Sequence, residues 1–343
     1  MMKRKNILCL LFLMMFSGML WAESGVLSYL EGRVTLEKPG GPQMSAEIGD
    51  TLVSGDTLYT DSKSFAEVAL TSGSTLSIKE GSVFNFGEIV DSDSSSGKRG
   101  FFRVLLGNVS FKFKNLLHEP EIGTPLSVLA VRGTDFTVYT SPDGASLTVV
   151  SDGLVEVSSG GQTTLLAADQ GVEVSAGLGL GETFDARKGF VRYDAFVKQA
   201  LSRLEENPVL VIEAYTEQLE NYIEEGKYFL DSFDTNMVEL RAVKGKVPEI
   251  REKEGDEAAL IYIGDSLGPL QERGFELNGN YRYHFISALF LRRYVISSIY
   301  IRMRTLYLSE PDNPGWLAFA EAYGDFINLY EQRLIPLLED EDL

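Results

Sequence analysis

The sequence predicts an α+β protein in which an all-β N-terminal domain is followed by an all-α helical bundle. Up to residue 180, short runs rich in Val, Leu, Phe and Thr alternate with glycine-containing turns, a pattern typical of strands. The glycine-rich stretch 177–181 then indicates a flexible linker. Beyond it, the apolar residues recur with a period of about 3.6, which predicts helices. We therefore expect a β-domain over residues 23–180 and an α-helical domain over residues 181–343.

Residues 1–22 have the features of a signal peptide. The basic group Lys3–Lys5 precedes the unbroken apolar run Ile7–Phe16, and Ala22 stands at a suitable cleavage position. Leu20, three residues before that cut, is bulky for a signal peptidase, so an uncleaved N-terminal anchor is the alternative. The apolar run is short for a membrane-spanning helix, which favours cleavage. We therefore predict a periplasmic protein with no integral membrane span after cleavage, and secretion as a further alternative.

Composition limits the classes of partner. The single cysteine, Cys9, lies within the predicted signal peptide, so the mature chain is expected to have neither disulfides nor thiolate chemistry. The 343 residues are enough for two domains, and a hydrophobic content of 44% can fill their cores. The formal net charge of −19 repels nucleic acid phosphates and anionic lipids, which argues against both as main partners.

The stretch 124–153 shows how the β-domain is built. Apolar runs at Leu126–Val131, Phe136–Tyr139 and Ala145–Val150 predict three strands, and Pro142–Gly144 predicts the turn between the last two. Further upstream, alternating apolar residues on both sides of a polar turn predict a hairpin between residues 65 and 78.

A weak internal repeat runs through the same domain. Gly32, Gly107 and Gly153 each separate two strand-like runs. A glycine at such a place supplies a positive φ or a β-bulge that a side chain would block. Repeated short strands with glycine corners predict a β-sandwich or a short β-solenoid. Because the copies are irregularly spaced, a strict repeat architecture is not expected.

One set of residues in this domain resembles the signature of the FecR domain: Thr124, Pro125, Val131, Arg132, Gly133, Thr134 and Phe136. The upstream strings Gly49–Leu52, Gly55–Asp56 and Ala66–Leu70 are similar to the same pattern, and the resemblance spans roughly residues 25–160. It implies a periplasmic, non-catalytic, β-rich domain whose motif residues are structural. In the family's namesake, this domain relays a signal between an outer-membrane receptor and a sigma factor.

Arg132 is the motif residue that could have chemistry of its own. It lies between two apolar strands, so we expect its guanidinium to be partly buried. Its donors could clamp backbone carbonyls at a strand corner or pair with a carboxylate such as Asp135. The alternative is a contact with an anion or another ligand in a groove.

Several apolar stripes after residue 181 predict helices. Asn207–Pro208 and Asn313–Pro314 predict helix starts, and Gly268–Pro269 predicts a break. The segment Tyr281–Leu308 predicts a long central helix whose arginines argue against a membrane span. The charged segment Glu249–Ala259 is expected to be a loop or a helix start. The stripes expected to face the core contain Ile212, Tyr215, Leu219 and Tyr222, and later Trp316, Phe319, Tyr323, Ile327, Tyr330 and Leu334.

No catalytic, cofactor-binding or metal-binding residue is predicted. The two histidines, His118 and His284, are far apart and have no metal-type spacing, and no nucleophile elbow or phosphate loop is present. The polar segment Asp91–Arg99 is predicted to be a mobile hairpin connection. A docking loop or a weak calcium site is the alternative, although the segment lacks the central Gly and terminal Glu of a calcium loop.

These observations favour a non-enzymatic, exported module that binds or senses a signal in the bacterial cell envelope, with an envelope protein as its partner. A structural protein that binds peptidoglycan or another glycan is the alternative. An enzyme acting on carbohydrate or peptide is a third hypothesis, because carboxylates are abundant. Only a few residues precede the apolar segment, so we do not expect this chain to reach a cytoplasmic sigma factor itself.

Overall fold

The computed structural model describes residues 24–87, 90–91, 98–99, 101–114, 120–188 and 192–339. For residues 90–91 and 98–99 it describes the backbone only. The predicted signal peptide, Cys9 and His118 lie outside the described residues. So does most of the predicted loop Asp91–Arg99, of which only the paired ends are described.

The N-terminal part consists of strands, as the sequence predicted. They are β1 (Gly25–Glu31), β2 (Val34–Glu37), β3 (Gln43–Ser45), β4 (Thr51–Leu52), β5 (Thr57–Thr60), β6 (Phe65–Leu70), β7 (Thr75–Ile78), β8 (Val83–Phe86), β9 (Val90–Asp91), β10 (Lys98–Arg99), β11 (Phe101–Lys112), β12 (Glu121–Gly123), β13 (Val128–Thr140), β14 (Ser146–Ser159), β15 (Gln162–Ala167), β16 (Gln170–Ser175), β17 (Gly179–Leu180) and β18 (Phe184–Asp185). The predicted hairpin is formed by the antiparallel pair β6 and β7.

Sixteen of the described strands form one sheet, which folds over into two layers. The first half of β11 pairs with β8, and its second half pairs with β7. The strands β13 and β14 likewise pair with different neighbours at their two ends. The layers face each other across a single apolar core, in which Gly25 of β1 lies directly against Phe86 of β8.

Glycines mark the corners where the long strands pass from one layer to the other. Gly107 in β11 and Gly153 in β14 have φ values of +92° and +85°, and Gly133 in β13 has +56°. The pairing register of β13 with β14 shifts beside Gly133. Positive φ is costly for residues with a Cβ, so these positions favour glycine. The predicted role of Gly32, Gly107 and Gly153 is confirmed, since Gly32 also has a positive φ of +74°.

The C-terminal part is helical. It contains α1 (Tyr193–Glu206), α2 (Pro208–Glu254), α3 (Asp256–Tyr262), α4 (Gly268–Phe290), α5 (Ser297–Leu306), α6 (Pro314–Leu329) and α7 (Ile335–Glu339). Segments of π-helix at 263–267, 291–296 and 330–334 join α3 to α4, α4 to α5, and α6 to α7 without a loop. The 47 residues of α2 span about 70 Å. The helices from α3 to α5 follow one another without a loop and form a continuous rod. This rod makes a helical hairpin with α2, and the turn of the hairpin lies at Gly255. Among the described residues, no helix has the length and apolarity to cross a membrane.

Several predictions about the helices are confirmed. Pro208 and Pro314 open α2 and α6, and the Asn313 side chain accepts a hydrogen bond from the backbone N–H of Gly315 at 2.9 Å. The predicted stripe of α2, Ile212, Tyr215, Leu219 and Tyr222, is buried. The order of an all-β part followed by an all-α part is confirmed as well.

Two local predictions are wrong. The stretch 177–181 is not a plain linker, because Gly179–Leu180 forms β17 and pairs with β16. The helix does not break near Gly268–Pro269, because the π-helical turn just before this pair accommodates the missing N–H and the ring of the proline. The charged segment Glu249–Ala259 contains the end of α2 and the start of α3. The domain boundary at residue 180 stays a prediction.

Candidate functional site at the sheet–helix junction

Most residues of the predicted motif lie inside the β-sheet part. Thr124, Pro125, Val131, Thr134 and Phe136 are buried. The Thr124 hydroxyl accepts a hydrogen bond from the backbone N–H of Ser127 at 3.0 Å and lies 2.8 Å from the Ser127 hydroxyl. These contacts are compatible with the structural role expected for the motif, which stays a prediction.

The prediction of a partly buried Arg132 is wrong, because this side chain is exposed. Val131 points into the core, so its neighbour Arg132 points outward. The bulge at Gly133 then leaves a second residue outside before Thr134 returns to the core. The carboxylate of Asp135, one of the partners considered for Arg132, lies 3.3 Å from the Lys112 ammonium group.

The buried arginine of the β-sheet is Arg103, whose side chain is 4% exposed. Strand register places it in a row of residues that lie directly opposite one another on five neighbouring strands: Glu37, Thr57, Asn85, Arg103 and Gly123. The Asn85 amide donates to the Thr57 hydroxyl at 3.0 Å, and its oxygen accepts from Arg103 Nη1 at 3.3 Å. The helices contact this row at Arg103 and at Glu37.

Two glycines make room for the Arg103 side chain. A Cβ at Gly87 would lie 2.8 Å from Arg103 Nη1, and a Cβ at Gly123 would lie 2.7 Å from the Phe101 ring. Either contact would force the arginine or its neighbouring ring to move. Glycine is therefore required at these two positions, on the face of the sheet that meets the helices.

Aromatic rings surround the Arg103 guanidinium. Its central carbon lies 4.6 Å from the centroid of Phe101, 5.1 Å from that of Tyr283 and 5.8 Å from that of Phe290. Cation–π contacts of this kind stabilise a desolvated guanidinium. The adjoining cavity has a volume of about 20 Å³, far below the several hundred Å³ typical of metabolite sites. The arrangement joins the sheet to the helices and has no space for a metabolite.

A second contact joins the edge of the same row to the helices. Both Glu37 carboxylate oxygens accept hydrogen bonds from Arg293, each at 2.9 Å. Tyr59 donates to Glu37 at 2.6 Å, so the Tyr294 hydroxyl, 2.6 Å from that of Tyr59, serves as donor to Tyr59. Burial raises the pKa of Glu37, but the hydrogen bonds from Arg293 and Tyr59 outweigh it, and the net pKa is below 4.5.

The predicted turn Pro142–Gly144 makes the third contact. The Tyr215 hydroxyl, fully buried on α2, donates to the backbone carbonyl of Asp143 at 2.5 Å. Gly144 has a φ of +84°, and a Cβ there would overlap the Tyr215 hydroxyl and approach Val295. Burial raises the pKa of Tyr215 well above its usual value, so this hydroxyl stays a donor. The turn therefore fits the helices only as glycine.

Of the two histidines, His284 is the one that lies within the described residues, and aromatic side chains surround its ring. Its ring stacks on Phe229 with centroids 5.7 Å apart and meets Tyr283 edge-on at 5.0 Å. Its Nδ1 atom is buried and has no hydrogen-bond partner among the described residues. Burial, with a smaller effect from Arg103, lowers its pKa to about 4, so the ring is neutral at physiological pH.

No candidate metal cluster is assembled by the residues that the structure describes. They contain no group of three or more His, Cys, Asp or Glu side chains that could hold a metal ion. The larger concavity, about 520 Å³ beside α1, is open to solvent. Three of its four charged lining residues form ion pairs, Arg302 with Glu205 and Asp194 with Arg192, and the fourth is Lys198.

Sequence reasoning missed Arg103, Glu37 and Arg293. A usable signal existed for Arg103, because it is a charged residue inside the otherwise apolar run Phe101–Leu106. No pattern in the sequence connects Glu37 with Arg293, which are 256 positions apart.

Comparison with known proteins supports the resemblance in the β-sheet part. Residues 56–156 match the family model described as FecR protein. Two crystal structures of a "putative anti-sigma factor" from Parabacteroides distasonis ATCC 8503, at 2.50 Å and 1.65 Å, are similar at 17% identity and a TM-score of 0.32. Each match covers 38% of this chain and 59% of the other, so the chain spans little more than half of those proteins. No curated protein matches the sequence. The helices from α1 onward lie beyond the matched family region.

Proposed function

We propose that this chain, in which residues 56–156 match the FecR model, is a non-enzymatic module that binds or senses a signal in the periplasm of a bacterial cell envelope. The family match is the observation that carries the proposal, because FecR-type proteins are regulatory and act through other proteins. The leader-like residues 1–22 support export. The partner would be another envelope protein.

The junction supports a further part of the proposal. Arg103, Glu37 and the Gly144 turn each bind the sheet to the helices through buried or half-buried groups. The two parts would then present their outer surfaces to a partner in a fixed relation. The sheet would dock the partner, and the helices would supply a second surface.

Photo-cross-linking in intact cells tests this proposal. A cross-linking residue at Val26 on β1, 41% exposed, or at Val238 on α2, 65% exposed, should capture an envelope protein. The matched control is Leu58, which is fully buried and should capture nothing. If neither exposed position yields a protein adduct, the proposal of a protein-binding module is wrong.

Two further measurements separate the remaining alternatives. Purified sacculi that retain the protein in the absence of other proteins would favour a structural role in binding peptidoglycan. Cell fractionation and the mass of the mature N-terminus test export. A start at Glu23 supports cleavage after Ala22, whereas a start at Met1 in the membrane fraction indicates an anchor.

A further inference from the structure

The far end of the hairpin between α2 and the α3–α5 rod is loosely packed. The buried side chains of α2 all lie at or before Asn236, so the last eighteen residues of this helix contain none. In the rod, Ala259 and Leu267 are the buried side chains before Gly268. Few buried side chains give a low local stability, which is typical of elements that move.

Two residues weaken α2 within this far end. Gly245 lies in the helix interior, where only proline is less favourable than glycine. A Cβ at this position would meet no atom within 4 Å, so packing does not require a glycine here. Pro248 also lies inside the helix, and it cannot donate a hydrogen bond to the carbonyl of Lys244. The helix is therefore weakened between residues 244 and 248.

The rod is weakened in a similar way. Its π-helical segment Ile263–Leu267 interrupts the regular α-helical hydrogen bonding. Gly264 within this segment also faces open space, and Pro269 follows directly after Gly268. Prolines, glycines and π-helical turns are the usual places at which helices kink. The rod therefore bends most easily between residues 263 and 269.

The two weak stretches lie side by side in the hairpin. Its register is visible at Gly274, where a Cβ would lie 2.8 Å from the side-chain nitrogen of Asn236. These residues stand nineteen positions after and nineteen positions before the turn at Gly255. Residues equally far from the turn are therefore neighbours. Gly245, ten positions before the turn, is level with the π-helical segment, eight to twelve positions after it, at about 15 Å from the turn.

We propose that the hairpin has a hinge at this level, and that its tip, residues 249–262, rotates as one unit. A regular helix on either side would hold the other straight, so a hinge requires weak points at the same level in both. Hinges consist of a few positions that absorb the change in φ and ψ between intact elements. The tip carries Leu260 and Ile261, which are 56% and 59% exposed and move with it relative to the sheet.

The other half of the hairpin is fixed on the sheet. Arg293, in the π-helical segment 291–296, binds Glu37 through two hydrogen bonds. Three other residues of this segment are buried, so it has π-helical hydrogen bonding without the freedom to bend. The tip therefore changes its direction while the junction stays closed. The hinge does not depend on the proposed function, because it follows from the packing of the helices alone.

Distances between pairs of spin labels test the hinge. In a Cys9→Ser background, labels at Tyr228→Cys and Ile261→Cys lie on its two sides, and both positions are exposed. The control pair, Leu210→Cys with Tyr228→Cys, lies within the packed half of α2, and each pair spans about 30 Å. Pulsed electron paramagnetic resonance should give a distance distribution at least twice as wide for the pair across the hinge. Equal widths for the two pairs would overturn the proposal.

A stiffened variant tests where the hinge lies. Gly245→Ala, Pro248→Ala and Gly264→Ala together supply good helix formers, and the new methyl groups at the two glycine positions meet no other atom within 4 Å. This triple variant should reduce the width to that of the control pair. Gly324→Ala on α6 is the matched control, since a Cβ there also faces open space, and it should leave the width unchanged. A triple variant that keeps the full width contradicts a hinge at this level.

Hydrogen exchange separates bending from unfolding. A tip that rotates as one unit keeps its helical hydrogen bonds, so the amides of residues 260–262 should exchange at least tenfold more slowly than those of an unstructured chain. Exchange at the rate of an unstructured chain would show that the tip unfolds instead of bending, and the proposed hinge would then be wrong.

Discussion

Both terminal nitrogens of Arg293, on the π-helical segment after α4, lie 2.9 Å from the carboxylate oxygens of Glu37 on strand β2. This paired contact connects residues 256 positions apart and fixes the helices against the sheet. Bidentate pairing between a guanidinium and a carboxylate adds directionality to the attraction. The Glu37 side chain is 16% exposed, whereas that of Arg293 is 50% exposed. We therefore expect the pair to contribute modestly to stability.

The stability contributed by Glu37 should disappear in acid. Because its pKa in the folded chain lies below 4.5, the folded state favours the carboxylate. The contribution is present above pH 4.5 and is lost as the pH falls through the folded pKa. Glu37→Gln should lower the free energy of unfolding by about 1 kcal/mol at pH 7 and by much less at pH 3. Thermal unfolding across this pH range measures the difference. An effect equal to that of Asp231→Asn, which breaks an exposed pair on α2, would contradict a special role for Glu37.

Gly144→Ala should destabilise the chain far more than Gly73→Ala. Both residues have nearly the same backbone conformation, with φ values of +84° and +81°. A side chain in this region costs about 1–2 kcal/mol, and Gly73 faces open space. At Gly144 the new methyl group would also displace the buried Tyr215 hydroxyl and break its hydrogen bond to Asp143. Chemical denaturation should show at least twice the loss for Gly144→Ala. Equal losses would mean that the turn is not docked on the helices.

Arg103→Lys should lower the free energy of unfolding strongly, and Arg132→Lys should leave it almost unchanged. Lysine cannot reproduce the planar guanidinium that contacts Asn85 and stacks between rings, so the first change should cost about 2–4 kcal/mol. Arg132 is exposed, so the second change should alter stability by no more than about 0.5 kcal/mol. Denaturant titration of the two variants checks the contrast. A larger loss for Arg132→Lys would show that the motif arginine has a structural role in the chain.

His284 should make the fold sensitive to mild acid. Its pKa of about 4 lies below the ordinary value of 6.5, so the unfolded chain takes up a proton at a higher pH than the folded chain does. Stability should therefore fall as the pH decreases from 6.5 to 4, by up to about 3 kcal/mol. His284→Phe should remove this slope, because the ring stack on Phe229 is kept without a titrating group. An unchanged slope in His284→Phe would contradict the assignment.

The sequence was sufficient for features set by local backbone chemistry. Glycine at positions 107 and 153 signalled corners, because few other residues adopt a positive φ at low cost. Pro208 and Pro314 marked helix starts for an equally local reason. Pro269 shows the limit of such rules, because a π-helical turn before it keeps the rod continuous.

The junction could not be predicted in the same way, because it depends on how the two parts pack. Phe101–Leu106 contains almost no alternation, since one face of β11 meets the core and the other meets the helices. The charge of Arg103 stood out in this run, but a strand covered on both sides does not show which face meets the core, so the contact with α4 was not evident. Arg132 was expected to be partly buried because it lies between two apolar runs, but strand alternation after the buried Val131 turns it outward.

Strands β11, β13 and β14 each belong to both layers of the sheet, turning from one into the other at a single glycine. Neither layer can separate from the other by itself, because its central strands continue into the opposite layer. We therefore expect the two layers to unfold together, in one cooperative transition.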